Sequence, residues 1–293
     1  MVHENIYRLV EGRHGRFLVN PHDQYIGRSL IAYGEWGEAE ARLFAQLLRP
    51  GDVAIEVGAN IGSHTIPISK AVGRHGVVHV FEPQRLIYQL LCANIALNDC
   101  HNVHAHHAAV SCELGQVDIC TVPPYHECNY GGIGIGADLG GDSVMEQTPL
   151  LTLDSLNLPR VDFLKIDAEG HDLRVLQGAQ ATIARCRPLI FAEIDVRSSM
   201  DIPNLLSDCG YDCWWYITTL FETQNYRSNH ENIWPQHRRA LVSADMLAVP
   251  KEQCWQVAGL RQADKQIDLG CLPLSPDNFR TGFSIRRAAP ASC

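Results

Sequence analysis

The stretch AIEVGANIGSHT, residues 54–65, carries the strongest structural signal in the chain. An apolar strand ends at Val57 and is followed by a turn containing Gly58 and Gly62, and then by the start of a helix. Glycine lets the backbone bend sharply and approach a ligand, and the first turn of a helix has N–H groups without partners inside the helix. The stretch therefore predicts the first strand–turn–helix unit of a parallel α/β sheet, with a ligand beyond the strand end.

Short apolar runs alternate with amphipathic stretches from residue 52 to about residue 250. Strands are predicted at 53–57, 77–81, 103–110, 117–122, 163–167, 188–194, 213–218 and 246–250. Helices are predicted at 63–72, 84–97, 173–185 and 202–210. This alternation indicates an α/β fold: a Rossmann-like, doubly wound, mostly parallel sheet of seven strands with helices on both faces.

Three regions are expected along the chain. Residues 1–50 are predicted to form an N-terminal hairpin and helix cap, with strands at 6–10 and 16–19 and a helix at 38–48. Residues 51–250 form the core. The periodicity is lost after residue 250, so residues 251–293 are expected to be a C-terminal extension that is partly disordered.

The composition excludes several classes of protein. The 293 residues are 46% hydrophobic and 19% charged, which is typical of globular proteins. With 24 Lys and Arg against 33 Asp and Glu, the net charge of −9 argues against a non-specific nucleic-acid binder. The apolar runs are shorter than the roughly 18 residues that suggest a membrane span. Residues 1–16 lack the apolar segment of a secretion signal, so we expect a cytoplasmic protein.

The cysteines and histidines offer weaker signals. The 11 cysteines include no CxxC pair, which favours mostly buried free thiols over structural zinc. His104 and His106 share one face of a predicted strand. That pattern favours an exposed strand edge over a set of metal ligands.

Two acidic residues suggest the ligand of the first strand–turn–helix unit. A dinucleotide fingerprint requires glycine at positions 60 and 63, where this chain has Asn60 and Ser63, so an NAD oxidoreductase is disfavoured. Glu56 would repel a pyrophosphate, but it suits a cationic ligand such as the amino acid part of S-adenosylmethionine (SAM). Glu82 follows the second strand, where a carboxylate can accept both hydroxyl hydrogens of a ribose.

A second motif, VDFLKIDAEGHD at 161–172, places Asp167 at the carboxyl end of another strand, facing the same crevice as Gly58. Together, GDVAIEVGANIGSHT, VFEP and LKIDAEGHDLRVLQGA resemble the FkbM family of SAM-dependent methyltransferases. The resemblance covers about residues 35–250 and includes PLIFAEI and NYRSNHENIW. Where the family has Asp in its first motif this chain has Glu56, and where it has a second Glu after KIDxEG this chain has His171.

This resemblance implies a class I methyltransferase fold, SAM as methyl donor, S-adenosylhomocysteine as product, and usually a hydroxyl acceptor on a sugar, glycan or polyketide. The positions expected to bind the cofactor are Glu56, Gly58, Ala59, Asn60, Gly62 and Glu82. Asp167 is implied at the active centre, with Glu169 in the same motif. Two alternatives stay open: an N-methyltransferase acting on an amino sugar or peptide, and a catalytically silent SAM-binding module that supports a partner protein.

The chemistry requires a base near the acceptor hydroxyl, and we expect Asp167 or His171 to take its proton. A Mg²⁺ site formed by Asp167, Glu193 and Asp195 is an alternative that we do not favour.

Three segments are candidates for closing over the two ligands. Tyr33 and Glu35 precede the core and could cover SAM. The glycine-rich loop at 125–141 offers Asn129 and Tyr130 to the acceptor, and the segment at 214–234 offers Asn225, Asn229 and Asn232, with Glu193 nearby. The expected partner is thus a small-molecule or carbohydrate acceptor, and an assembly of identical chains is compatible with the sequence.

Overall fold

The central sheet of the protein has seven strands. A computed structural model describes residues 6–195, 200–235, 242–263 and 280–287. The strands of this sheet are β3 (Val53–Val57), β4 (Val77–Phe81), β5 (Val103–His106), β9 (Phe163–Ile166), β10 (Leu189–Glu193), β11 (Tyr211–Thr219) and β12 (Val242–Pro250). Their order across the sheet is β11-β12-β10-β9-β3-β4-β5. The five strands from β10 to β5 are parallel, and β12 is antiparallel to both of its neighbours. The mostly parallel sheet predicted from the sequence is therefore confirmed.

Apolar side chains cover both faces of this sheet because its central strands are buried on both sides. The described helices are α1 (Ile26–Ala32), α2 (Glu38–Leu47), α3 (Thr65–Val72), α4 (Arg85–Leu97), α5 (Asp172–Gln177), α6 (Gln180–Cys186) and α7 (Asp201–Asp208). One apolar cluster joins the sheet to α5, α6 and α7. A second joins it to α2, α3 and α4. Parallel strands consequently end together at one edge, where Gly58, Glu82 and Asp167 follow β3, β4 and β9.

Two predicted strands belong partly to a second, smaller sheet. The predicted strand 103–110 is divided into β5 and the short β6 (Ala109–Val110). β6 leaves the central sheet and pairs with β8 (Val144–Leu151), which in turn pairs with β7 (Gly115–Thr121). β7 was expected among the strands of the core, and β8 was not predicted.

The predicted helix 173–185 is interrupted at Gly178, and α5 and α6 lie on either side of the break. A Cβ atom at Gly178 would lie 2.1 Å from the carbonyl oxygen of Ser111, so the neighbouring loop touches the backbone there. This contact comes from a distant part of the chain. The helical periodicity of the sequence therefore could not reveal it.

The two ends of the described chain both pack on the core. The predicted hairpin is formed by β1 (Arg8–Gly12) and β2 (Gly15–Val19), while α1 was not predicted. At the other end, β13 (Trp255–Leu260) pairs with β14 (Arg280–Arg287), and Ile285 is buried in the cluster that contains α2. Part of the C-terminal extension is thus ordered as these two strands, and the expectation that the rest is disordered stays a prediction. Residues 264–279 and 288–293 lie outside the described part.

The cysteines only partly match the expectation of buried free thiols. Eight of those in the described part are free thiols, and Cys100, Cys120 and Cys213 among them are buried. Cys254 is disulfide-bonded, which corrects the expectation for that residue. No helix in the described part combines the length and apolar character needed to cross a bilayer.

Candidate functional site

The turn after β3 lies directly against the end of β9. Gly58 has a φ of +77°, and a Cβ atom there would lie 1.8 Å from the carbonyl oxygen of Asp167. The N–H groups of Gly58 and Ala59 both donate to the carbonyl oxygen of Phe81, each at 3.0 Å. Only glycine combines this φ with this approach, so Gly58 brings the ends of β3, β4 and β9 together.

Glu82 occupies the end of β4 and is held by the backbone. Its Oε2 accepts the N–H of Asn60 at 3.0 Å and its Oε1 accepts the N–H of Gln84 at 2.8 Å. Burial raises the pKa of Glu82 to about 7, despite these two hydrogen bonds. Each carboxylate oxygen retains a lone pair for a further donor. The side chain is therefore fixed in place and still able to accept two hydroxyl hydrogens.

A narrow, mostly apolar cavity, which we name the apolar slot, lies beside Glu82. Its apolar lining is formed mainly by Phe81, Pro83, Ala109, Val110, Ile133 and Ile135. Ile133 comes from the glycine-rich loop, where a Cβ atom at Gly134 would lie 2.7 Å from the carbonyl oxygen of Glu169. The loop thus packs against the turn after β9 and closes one side of the slot. A flat apolar group fits such a lining.

A wider cavity, which we name the acidic cavity, adjoins the apolar slot. No lysine or arginine is among the described residues of its wall. Five carboxylates line it: Glu40, Glu82, Asp167, Glu169 and Glu193. The remainder of the wall includes Tyr25, Trp36, His64 and Asn129. Gly58, Gly131, Glu82, Asp167 and Glu169 line both cavities, so a single ligand could extend from one into the other.

Lys165 is a buried cation behind the wall of the acidic cavity, paired with Asp167 of that wall. Its side chain is 2% exposed, and Nζ lies 3.0 Å from Asp167 Oδ2 and 3.8 Å from Glu56 Oε1. Glu56 is itself buried and accepts the hydroxyl hydrogen of Thr65 at 2.6 Å. Burial lowers the pKa of Lys165, but the neighbouring carboxylates Asp167, Glu56 and Glu40 outweigh this effect and raise it overall. Lys165 therefore stays charged and fixes Asp167.

His64 and Glu40 form a second buried pair on the wall. His64 Nε2 lies 3.3 Å from the carbonyl oxygen of Gly37 and 3.5 Å from Glu40 Oε2. Burial, together with the charge of Lys165, lowers the pKa of His64 well below its ordinary value. Burial also raises the pKa of Glu40. The imidazole is consequently neutral at pH 7, and its contact with Glu40 is not an ion pair.

Three acidic side chains converge where β9 and β10 end. Carboxylate oxygens of Asp167, Glu169 and Glu193 lie within 4.8 Å of one another. Burial, and then the charge of Asp167, raises the pKa values of Glu169 and Glu193. A cationic ligand, whether an organic cation or a metal ion, would relieve the repulsion among these groups.

The structure brings together most of the residues predicted around the first motif. Seven predicted residues line one or both cavities: Gly58, Asn60, Glu82, Asn129, Asp167, Glu169 and Glu193. Glu56 lies behind this layer, in contact with Lys165. Ala59 and Gly62 shape the turn, because the N–H of Gly62 donates to the carbonyl oxygen of Ala59 at 2.9 Å.

Tyr33 and Glu35 lie outside the linings of both cavities. The Tyr33 hydroxyl donates to the carbonyl oxygen of Glu231 at 2.7 Å and accepts the N–H of Ile233 at 2.9 Å. Glu35 Oε2 lies 2.8 Å from Arg13 Nε and accepts the N–H of Tyr226 at 2.8 Å. Both side chains attach the segment 225–234 to the N-terminal region. Their expected contact with the cofactor stays a prediction.

The asparagines of this segment also form hydrogen bonds with the backbone. The Asn229 side-chain amide donates to the carbonyl oxygen of Ala32 at 3.2 Å, and Asn225 donates to the carbonyl oxygen of Asn229 at 2.6 Å. Asn232 Oδ1 accepts the N–H of Trp234 at 2.9 Å. These polar groups are satisfied by backbone partners, and none of the three lines either cavity.

Tyr130 and His171 also lie outside the two linings. The Tyr130 hydroxyl lies 2.8 Å from the carbonyl oxygen of Pro123, so this side chain braces the glycine-rich loop from within. His171 immediately precedes α5, and its backbone N–H donates to Ala168 at 3.1 Å. Their predicted roles in acceptor binding and proton transfer therefore gain no support from their positions.

Several residues of the site were not predicted from the sequence. Tyr25 and Ile26 reach the wall from the start of α1, which was not predicted, Glu40 comes from α2, and His64 immediately precedes α3. Lys165 did carry a signal, because a lysine inside the apolar run FLKI requires buried acids for charge balance.

The chain is similar to a known family of proteins. The sequence pattern of the methyltransferase FkbM domain matches residues 56–213. No curated protein matches the chain.

Solved structures provide weaker matches. A methyltransferase FkbM from Methylobacillus flagellatus KT is 14% identical, with a TM-score of 0.44 over 71% of this chain and 50% of that one. This chain thus spans half the length of that relative. A precorrin-6y C5,15-methyltransferase from Geobacter metallireducens GS-15 is 14% identical, with a TM-score of 0.43 over 72% and 88%. M. jannaschii TYW2 in complex with AdoMet is 12% identical, with a TM-score of 0.44 over 85% and 87%.

Proposed function

The chain belongs to the FkbM methyltransferase family, and on this basis we propose that it transfers a methyl group from SAM to a hydroxyl group of a small-molecule or glycan acceptor. One observation carries the proposal: the apolar slot and the acidic cavity adjoin each other, and Glu82, Gly58 and Asp167 line both. An adenosyl sulfonium compound has an apolar end, a ribose and a cationic end in this same order.

The residues present fit the cofactor. The apolar slot offers a flat lining to an adenine ring, with Phe81 and Ile133 on its walls. Glu82 has a free lone pair on each oxygen for the two ribose hydroxyl groups. The carboxylates of the acidic cavity suit the ammonium and sulfonium charges, and Asn60 and Gly58 lie at the junction.

The acceptor would lie in the acidic cavity, outside the apolar slot. Trp36, Tyr25, Asn129 and Glu193 line the acidic cavity and not the apolar slot. Aromatic faces and a side-chain amide suit a polyhydroxylated molecule, because rings cover its apolar faces and the amide both donates and accepts. Bound SAM supplies an electrophilic methyl group, and holding donor and acceptor in line is worth about 7–11 kcal/mol.

Glu169 is the base that we assign for the acceptor hydroxyl. It lines both cavities, and burial, together with the charge of Asp167, raises its pKa to about 8, close to the working pH at which a general base is most effective. Asp167 is paired with Lys165 and therefore serves as a fixed anion that orients the reacting groups. A base of this kind contributes roughly 10²–10⁴-fold to the rate.

Transfer without a metal ion is part of this proposal. Asp167, Glu169 and Glu193 have a spacing that a divalent cation could use, but the Lys165 ammonium already neutralises Asp167. Full activity in excess EDTA would support metal-free transfer. Loss of activity in EDTA that is restored by Mg²⁺ would assign these three carboxylates to a metal.

The test of the proposed function is a product assay. The protein is incubated with SAM labelled in its methyl group and with panels of monosaccharides, glycosides and hydroxylated polyketides, and S-adenosylhomocysteine and labelled products are measured. We expect acceptor-dependent formation of an O-methyl product, and a loss of at least tenfold in Glu169→Gln. An N-methyl product would show that the acceptor is an amine. SAM binding without turnover on any panel would favour the silent module.

A further inference from the structure

A stack of histidines on the outer strands of the sheet has no part in the proposed methyl transfer. His79 lies on β4 and faces His104 on β5 in the strand register, and Phe81 faces His106 in the same way. The rings of His79 and His106 are stacked, with centroids 5.6 Å apart, and His104 stacks on His79 at 5.2 Å. His104 is exposed, whereas His79 and His106 are half-buried.

The two half-buried imidazoles present nitrogen atoms to each other. His79 Nδ1 and His106 Nε2 are 3.3 Å apart. Two imidazole nitrogens bound to one tetrahedral Zn²⁺ at about 2.0–2.1 Å would themselves be about 3.3 Å apart. The strand pairing therefore already holds the two atoms at the separation that a shared metal ion requires.

The chemical state of the two rings also suits a metal ion. Burial, and then the proximity of His106 and His104, lowers the pKa of His79 to about 4, and burial lowers the pKa of His106. Both rings are thus neutral at pH 7, which is the form that binds metals. Imidazole nitrogen favours Zn²⁺, Cu²⁺ or Ni²⁺ over Mg²⁺ or Ca²⁺.

We propose that His79 Nδ1 and His106 Nε2 form a binding site for one divalent transition-metal ion, with Zn²⁺ as the best geometric match. Both rings then carry their proton on the other nitrogen, so the hydrogen bond between them is replaced by two metal–nitrogen bonds and no proton is lost. Water completes the coordination on the exposed side, where His104 lies.

The site is directly connected to the proposed cofactor cavity. Phe81, which lines the apolar slot, stacks on His106 with centroids 4.6 Å apart. The carbonyl oxygen of His106 accepts the N–H of Glu82 at 3.2 Å. A bound ion would hold together the ends of the two strands that carry Phe81 and Glu82.

Calorimetric titration of the full chain with Zn²⁺ at pH 7.5 tests the proposal. We expect one site in the wild type that is weakened at least tenfold in both His79→Gln and His106→Gln. His101→Gln, at an exposed neighbouring position, and Glu193→Gln, in the separate acidic trio, should retain it. Equal Zn²⁺ binding by the wild type and His106→Gln, or no Zn²⁺ binding by the wild type, would overturn the proposal.

A second measurement keeps the test independent of how the variants fold. Crystals of the wild-type protein soaked in Zn²⁺ should give an anomalous peak within bonding distance of His79 Nδ1 and His106 Nε2. A soaked crystal in which zinc peaks appear elsewhere and none lies between these two nitrogens would refute the site.

Discussion

The ammonium of Lys165 lies 3.0 Å from Asp167 Oδ2, although the lysine is almost completely buried. The two residues are separated by one position on the same strand end, and their side chains extend to the same side of the sheet. Asp167 is the residue whose carbonyl oxygen also meets Gly58. This ion pair therefore connects the stability of the sheet to the geometry of the candidate active centre.

Replacing Lys165 with methionine should destabilise the fold strongly. The change leaves Glu56 and Asp167 without their buried cation, and the removal of one partner of a buried pair costs about 3–5 kcal/mol. Chemical denaturation of Lys165→Met measures this loss. As a control, Lys251→Met removes an exposed cation 4.0 Å from Asp212 and should cost less than about 1 kcal/mol. Similar free energies of unfolding for both variants would contradict the assigned role of Lys165.

Alanine substitutions at two glycines with positive φ distinguish the cost of a steric clash from the cost of backbone strain. Gly58→Ala would place a Cβ atom 1.8 Å from the carbonyl oxygen of Asp167, whereas Gly51→Ala, at a φ of +92°, would meet no atom within 4 Å. Gly51→Ala should cost roughly 1–2 kcal/mol from strain alone. Gly58→Ala should cost at least about 3 kcal/mol more, or prevent folding, because the strand ends must separate. Equal losses in thermal unfolding would show that the close approach is unimportant.

Glu82→Gln should weaken SAM binding by at least about tenfold. The amide retains the shape of the side chain but accepts fewer hydrogens, and a hydrogen bond to a charged group contributes about 1.5–3 kcal/mol. Calorimetry with SAM gives the dissociation constants. Glu146→Gln is the matched control, since Glu146 pairs with Arg85 away from both linings. An unchanged affinity in Glu82→Gln would exclude this carboxylate from the cofactor site.

The raised pKa of Glu82 also predicts how stability depends on pH. Burial raises it to about 7 in the folded protein, against about 4.3 in the unfolded chain. Between these pH values the folded state binds more protons, so the free energy of unfolding falls as the pH rises. The decrease from pH 5 to pH 8 should be smaller in Glu82→Gln than in the wild type. His79, with its lowered pKa, has the opposite effect, but it is common to both proteins and cancels in the comparison.

Parallel strand ends explain why part of the site could be predicted from the sequence. Gly58, Glu82 and Asp167 each follow an apolar run, and in a parallel sheet such positions meet at one edge whatever the details of packing. Glu193, at the end of β10, is expected at the same edge for this reason. The prediction of their positions requires only local sequence patterns and one rule of sheet topology.

The remaining features depend on contacts between distant segments. Glu40 and His64 meet across two helices, and no local pattern shows that α2 packs on α3. The break between α5 and α6 at Gly178 lies where the loop at Ser111 touches the backbone. Tyr33 is expected to cover the cofactor, which stays a prediction, and the structure adds that its hydroxyl binds the backbone at 231 and 233. The sequence pattern is the same whether an aromatic side chain near a binding crevice covers a ligand or holds a neighbouring segment in place.

The most direct test of the central claim is the electron density of a crystal grown with S-adenosylhomocysteine. We predict the adenine ring between Phe81 and Ile133, both ribose hydroxyl groups within hydrogen-bonding distance of Glu82, and the amino acid end in the acidic cavity near Asp167. Density for the ligand at another place on the protein, or with the adenine in the acidic cavity, would contradict the account.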